Sequence, residues 1–203
     1  MDKETIGLIS GILVAVNIIP YAIRTYQKKI KPNITSWFLW TIIGFALLLT
    51  YKSSGAKANV WPAVFGFTNP LIITLLAIKQ RSDWIKLNFI EKACLVVGFV
   101  SLGMWLVMRQ DKSMVQFALY VAIAADACAA IPTIVLVWRR PWEDRPFAWG
   151  FFSLAYGISI FAISEHTFAN YVLPLYMSLG SFSVVLPLSL YRIKTKKPLK
   201  EWI

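Results

Sequence analysis

The chain has 203 residues, 58% hydrophobic and 15% aromatic, with a formal net charge of +11 and a mean hydropathy of +0.61. That is too apolar for a water-soluble domain. No Lys or Arg lies deep within an apolar run, so the positive charge reads as a membrane-topology signal and not as a nucleic-acid footprint. Two cysteines inside apolar runs and a single histidine leave no disulfide framework and no metal-ligand cluster, and both cysteines read as buried small hydrophobes.

Seven apolar runs predict seven spanning helices, at roughly 5–26, 34–52, 59–79, 89–108, 114–138, 147–164 and 169–191. The first follows Met1-Asp2-Lys3-Glu4, which lacks a cationic signal-peptide start, so it reads as a retained helix. It carries Asn17 and ends on Ile19-Pro20-Tyr21, then Tyr26 and the basic Lys28, Lys29 and Lys31. The second opens near Trp37 and carries Trp40; the third carries Pro62 and Asn69. The fifth carries Tyr120 and Asp126, then repeats the earlier construction as Ile131-Pro132-Thr133, Trp138 and Arg139-Arg140. The sixth has Trp149 and Tyr156, and the seventh Pro174, Tyr176, Ser178 and Ser181. The basic tail from Arg192 is expected to lie at the membrane surface.

One offset of 112 residues pairs Pro20 with Pro132, Trp37 with Trp149, and Pro62 with Pro174. Paired Pro and Trp are not explained by equal segment lengths alone, so the chain reads as a duplicated unit. Residues 1–82 form the first three-helix repeat, 83–112 a lone linker helix, and 113–203 the second repeat with its tail. The odd linker helix makes the two repeats parallel. Of the 21 Lys and Arg, 16 fall on the side of the tail and 5 on the other. That split places the C-terminus in the cytoplasm and the N-terminus outside. The predicted fold class is therefore an all-α, multi-pass integral membrane protein with a 3+1+3 arrangement. The expected location is the prokaryotic cytoplasmic membrane.

Asp126 is the most informative residue. It sits among alanines with no charge near it in sequence. A carboxylate at the bilayer centre costs about 2.5–3.5 kcal/mol on insertion scales, so it must be protonated, paired, or facing a hydrated cavity. One reading makes it a packing group between helices; the other makes it a binding or proton-carrying group. Asn17 maps three residues from Asp126, and Asn69 maps onto Ser181, which predicts polar positions converging between the repeats. The plainer readings are that Asn17 and Asn69 only satisfy backbone freed by Pro20 and Pro70. Trp40, Tyr120, Tyr156 and Tyr176 are candidates to wall a pocket, and Pro20, Pro62, Pro132 and Pro174 are candidate hinges.

A proline near the end of the first helix of a duplicated three-helix unit, joined by a linker helix, resembles the PQ-loop superfamily. That group includes the SWEET and SemiSWEET sugar transporters, the cystinosin-like transporters and the KDEL receptors. The matching residues are Ile19-Pro20, Ile34-Thr35-Ser36, Gly44 and Tyr51, then Ile131-Pro132, Trp149, Gly157 and Arg192. The residue after each proline is Tyr21 or Thr133 where the name-giving motif has Gln. Leu48 stands at the sugar transporters' Trp position; Phe65, with Ser178 as its counterpart, stands at their Asn. The resemblance implies a transporter moving a small polar or aromatic solute by alternating access, with Asp126 able to couple it to protons. A seven-helix receptor or sensor like the KDEL receptors is the alternative. Expected partners are the solute, membrane lipids and protons, with a homo-oligomer left open and no nucleic acid. No cofactor, metal or enzyme chemistry is expected: GxSxG and Gly-rich phosphate loops are missing, and no lysine precedes Lys194 in the last span to hold retinal.

Overall fold

The computed structural model describes residues 1–29, 32–82 and 86–202. Lys31, counted among the loop charges, lies outside them. The described residues form α-helices joined by short turns: α1 (Lys3–Asn17), α2 (Ile19–Tyr26), α3 (Ile34–Ser53), α4 (Trp61–Lys79), α5 (Phe89–Met108), α6 (Lys112–Arg139), α7 (Pro146–Ser159) and α8 (Phe168–Lys194). Taken with α2, α1 makes one broken rod, Lys3–Tyr26. Six helices are long and apolar enough to cross a membrane, and a seventh, Pro146–Ala162, is apolar but shorter. The chain is a helical integral membrane protein. Large side chains such as Phe99, Val107, Phe161 and Leu179 are exposed. A bundle in water would hide them; hydrocarbon accepts them.

Polar residues outside the apolar runs set the helix starts. The side chains of Asp2, Asn33, Asn88, Asp111 and Thr167 each accept a backbone N–H of the first turn. Asn88 and Glu91 complete a reciprocal capping box. Three helices stop on a basic residue in the left-handed region: Lys28 after α2, Arg81 after α4 and Lys196 after α8. These lie at one end of the bundle with Arg140, called here the tail end. Asp2, Gly55, Asp111 and Glu165 lie at the other, the head end.

Helix α4 packs against both α1 and α3, and α8 packs against both α6 and α7. Across these two groups, α1 packs on α7 and α3 on α6, while α5 covers α3 and α6. Small residues permit the close approaches. Gly44 on α3 faces the Gly66 carbonyl of α4, where a Cβ would sit 3.1 Å from the oxygen. Ser101 of α5 donates to the Ala118 carbonyl of α6 at 2.8 Å, and Thr41 meets Thr74 at 3.1 Å between α3 and α4.

The prolines behave differently from one another. Pro20 accompanies a true break, at Ile18, between α1 and α2. Pro132 and Pro174 lie inside helices that continue past them. Pro62 sits in the first turn of α4, behind a 3-10 turn at Ala58–Val60. There it has no ladder bond to remove, so it starts a helix and does not kink one. That corrects the expected hinge at Pro62. Cys94 is buried as expected, but Cys128 faces outward.

The start of the tail is tied into the bundle. Arg192 is buried and donates to the carbonyls of Pro141, Asp144, Leu188 and Glu201. The N–H of Phe147 donates to the Trp202 carbonyl at 3.1 Å. A guanidinium with four backbone acceptors is satisfied without a carboxylate. It clamps the end of the chain onto the loop between α6 and α7.

Candidate functional site

A cavity of about 410 Å³ lies between the two helix groups, from mid-bundle toward the tail end. Of the residues singled out by sequence, Asn17, Trp40, Asn69, Asp126, Tyr156, Tyr176 and Ser181 line it. Two do not. Ser178 and Ser153 exchange hydroxyl-to-carbonyl bonds of 2.9 Å, which lock α8 to α7. Tyr120 bonds Gln116 and stacks edge-on against Phe117 and Phe168 near the head end.

The break in α1 explains the asparagines. Ile18 turns its N–H to the Val16 carbonyl, which leaves the Val14 carbonyl without its helical partner. Asn69 of α4 supplies one, donating to it at 2.7 Å. Asn69 also donates to Asn17 Oδ1 at 3.4 Å, and Asn17 Nδ2 reaches the Ala148 carbonyl of α7 at 3.5 Å. The two amides thus tie α1, α4 and α7 together and stabilise the opened turn. The sequence pointed to backbone freed within each helix; the partner comes from a different one.

Asp126 is 7% exposed and projects from α6 to the cavity. Tyr176 of α8 donates to its Oδ2 at 2.7 Å. The ion pairs described for the chain lie at its two ends and do not involve it. Trp37, Trp40, Trp149, Phe152, Tyr156 and Tyr176 supply an aromatic wall. Trp149 is anchored from outside the cavity by Asp144, which accepts its indole N–H at 2.8 Å. Trp37 packs on Tyr21 with ring centroids 5.2 Å apart. The sequence reading left Trp37, Trp149, Phe152 and Thr133 out of the pocket. The offset of 112 could have found three of these aromatics, because it pairs Trp37 with Trp149 and Trp40 with Phe152. The same offset also pairs the lining residues Ile18 and Ala130, Ser36 and Ala148, Gly44 and Tyr156, and Asn69 and Ser181.

Beyond the cavity, the head end is tied shut. Tyr51 of α3 donates to the Asn170 carbonyl of α8 at 2.9 Å and accepts from Asn59. The Asn170 amide donates to the Glu165 carbonyl at 2.8 Å. Lys57 and Lys112, each 3.2 Å from the Glu165 carboxylate, hold that carboxyl below its ordinary range by hydrogen bonding to it. Lys3 donates to the Ile163 carbonyl at 2.8 Å.

The molecule is thus a helical membrane protein enclosing one carboxylate within an aromatic cavity. No family model, curated protein or solved structure matches the chain.

Proposed function

We propose that the chain is a membrane transporter for a small solute, working by alternating access, with a 3+1+3 architecture of the PQ-loop kind. The observation that carries this reading is the cavity's lining. Residues at equal positions of the two halves line it together, and the pairings among α1, α3 and α4 recur among α6, α7 and α8, while α5 covers only α3 and α6. Two like bundles around one central site can rock about it. The head-end network closes one side, while the cavity reaches toward the tail end; this is the form closed to the outside. The orientation rests on the excess of Lys and Arg at the tail end.

Uptake of metabolite mixtures into proteoliposomes, read by mass spectrometry, tests the transport function. Pro20→Ala with Pro132→Ala is expected to slow that uptake by roughly tenfold or more with the protein still folded, because straight helices lose the points about which they bend. Wild-type turnover in the double variant removes the hinge role. Binding without turnover in the native protein gives a receptor instead.

The orientation has its own test. Cysteines replacing Lys28 and Arg140 should react with an impermeant maleimide only from the cytoplasmic side, and one replacing Glu165 only from outside. Labelling of positions 28 and 165 from the same side ends the seven-span reading.

A further inference from the structure

We infer that the cavity binds an organic monocation with a flat aromatic or apolar body, its charge paired with Asp126. This rests on the reading of the cavity as the substrate site. Four observations point to that ligand class. Asp126 is a buried carboxyl that receives one hydroxyl, from Tyr176 at 2.7 Å, which leaves acceptor sites open on the cavity side. Among the described residues, no Lys, Arg or His lines the cavity, so none of them supplies a counter-charge there. Aromatic side chains line the walls, Trp37, Trp40 and Trp149 among them, and the negative face of an indole attracts a cation and not an anion. The two amides that would otherwise serve a polyol are engaged with each other and with the carbonyls of Val14 and Ala148.

The four restrict the ligand from different sides. An anion would face Asp126 without a compensating cation. A sugar would bring many hydroxyls to a wall that is mostly aromatic and aliphatic and whose two amides are already engaged, and each unpaired hydroxyl is costly. A cation with an apolar body satisfies the carboxylate and the rings together. A volume of about 410 Å³ holds a ring system with a short chain.

The test uses the full-length protein in lipid nanodiscs at neutral pH, with empty discs subtracted, and calorimetric titration. Three probes share one body: 2-phenylethylammonium, 2-phenylethanol and 3-phenylpropanoate. Benzyltrimethylammonium, which has no N–H donor, separates charge from hydrogen bonding. Both cations should bind at least about tenfold tighter than the alcohol, and the acid should bind weakest. Asp126→Asn should bring the cations to the level of the alcohol, while Asp126→Glu keeps the preference. Trp40→Leu should weaken the cations more than the alcohol.

The idea is overturned if the alcohol or the acid binds as well as the cations, or if the preference survives Asp126→Asn. It is also overturned if neither cation binds up to about 10 mM. Transport is read separately. A cation preference without flux in proteoliposomes keeps this site and removes the transport reading. Flux of a neutral solute with no cation preference does the reverse.

Discussion

Asp126→Asn should abolish solute accumulation driven by an imposed pH difference, whichever side is made acidic. Exchange of solute at equal concentrations should continue, with a raised KM. Asparagine keeps the size of the side chain and an oxygen that accepts from Tyr176, so the contact at 2.7 Å survives. It cannot gain or lose a proton. Among the described residues, no ion pair lies near this mid-span carboxyl to hold its charge. Whether it carries a proton then depends on the side to which the cavity opens and on what occupies the site. Removing that dependence uncouples the solute from the proton gradient but leaves the rocking motion intact. Asp126→Leu is a separate case: it leaves the half-buried Tyr176 hydroxyl without its partner and should destabilise the fold by about 1–3 kcal/mol. Gradient-driven accumulation by Asp126→Asn at the wild-type level would reduce Asp126 to a packing group.

Gly7→Ala should lower the unfolding temperature by roughly 5–10 °C, on a stability loss of about 3 kcal/mol. Gly7 is buried where α1 crosses the 3-10 turn at Ala58–Val60. A Cβ there would collide with the Ala58 carbonyl oxygen and lie 2.7 Å from its carbonyl carbon. Backbone cannot swing aside as a long side chain can, so α1 would have to leave the turn. The bond from Lys3 to Ile163 at the head end would then strain with it. The sign of the effect is diagnostic. In an open helical position Ala is favoured over Gly by about 0.8–1.0 kcal/mol. Gly103 on α5 is such a position, with nothing within 4 Å of an added Cβ. Gly103→Ala should hold or raise the unfolding temperature in the same scan. If Gly7→Ala rises with it, α1 does not meet the turn as described.

The spans were legible because hydrocarbon leaves a chain little choice. A run of apolar residues can satisfy its backbone there only as a helix, and the flanking Asp2, Asn33, Asn88, Asp111 and Thr167 mark where it begins. The predicted ends fall within a few residues of the observed ones. Asp126 was legible for the same reason: a lone carboxyl among alanines is conspicuous in any span. The offset of 112 was legible too, from rare residues repeated in register.

Which face of each helix looks inward was not legible. A span is apolar on its lipid side and on its packed side alike, so periodicity carries little information about direction. Tyr120 and Tyr176 look equally suitable in sequence. Only packing turns Tyr176 onto Asp126 and leaves Tyr120 against Phe117 and Phe168. The bond from Asn69 to the Val14 carbonyl, and the burial of Arg192 among four carbonyls, join residues far apart in the chain. By itself the sequence determined that this protein is a bundle of membrane helices with one carboxyl in its middle. The tertiary structure decided what that carboxyl faces, because a side chain's surroundings depend on neighbouring helices that no single run of residues encodes.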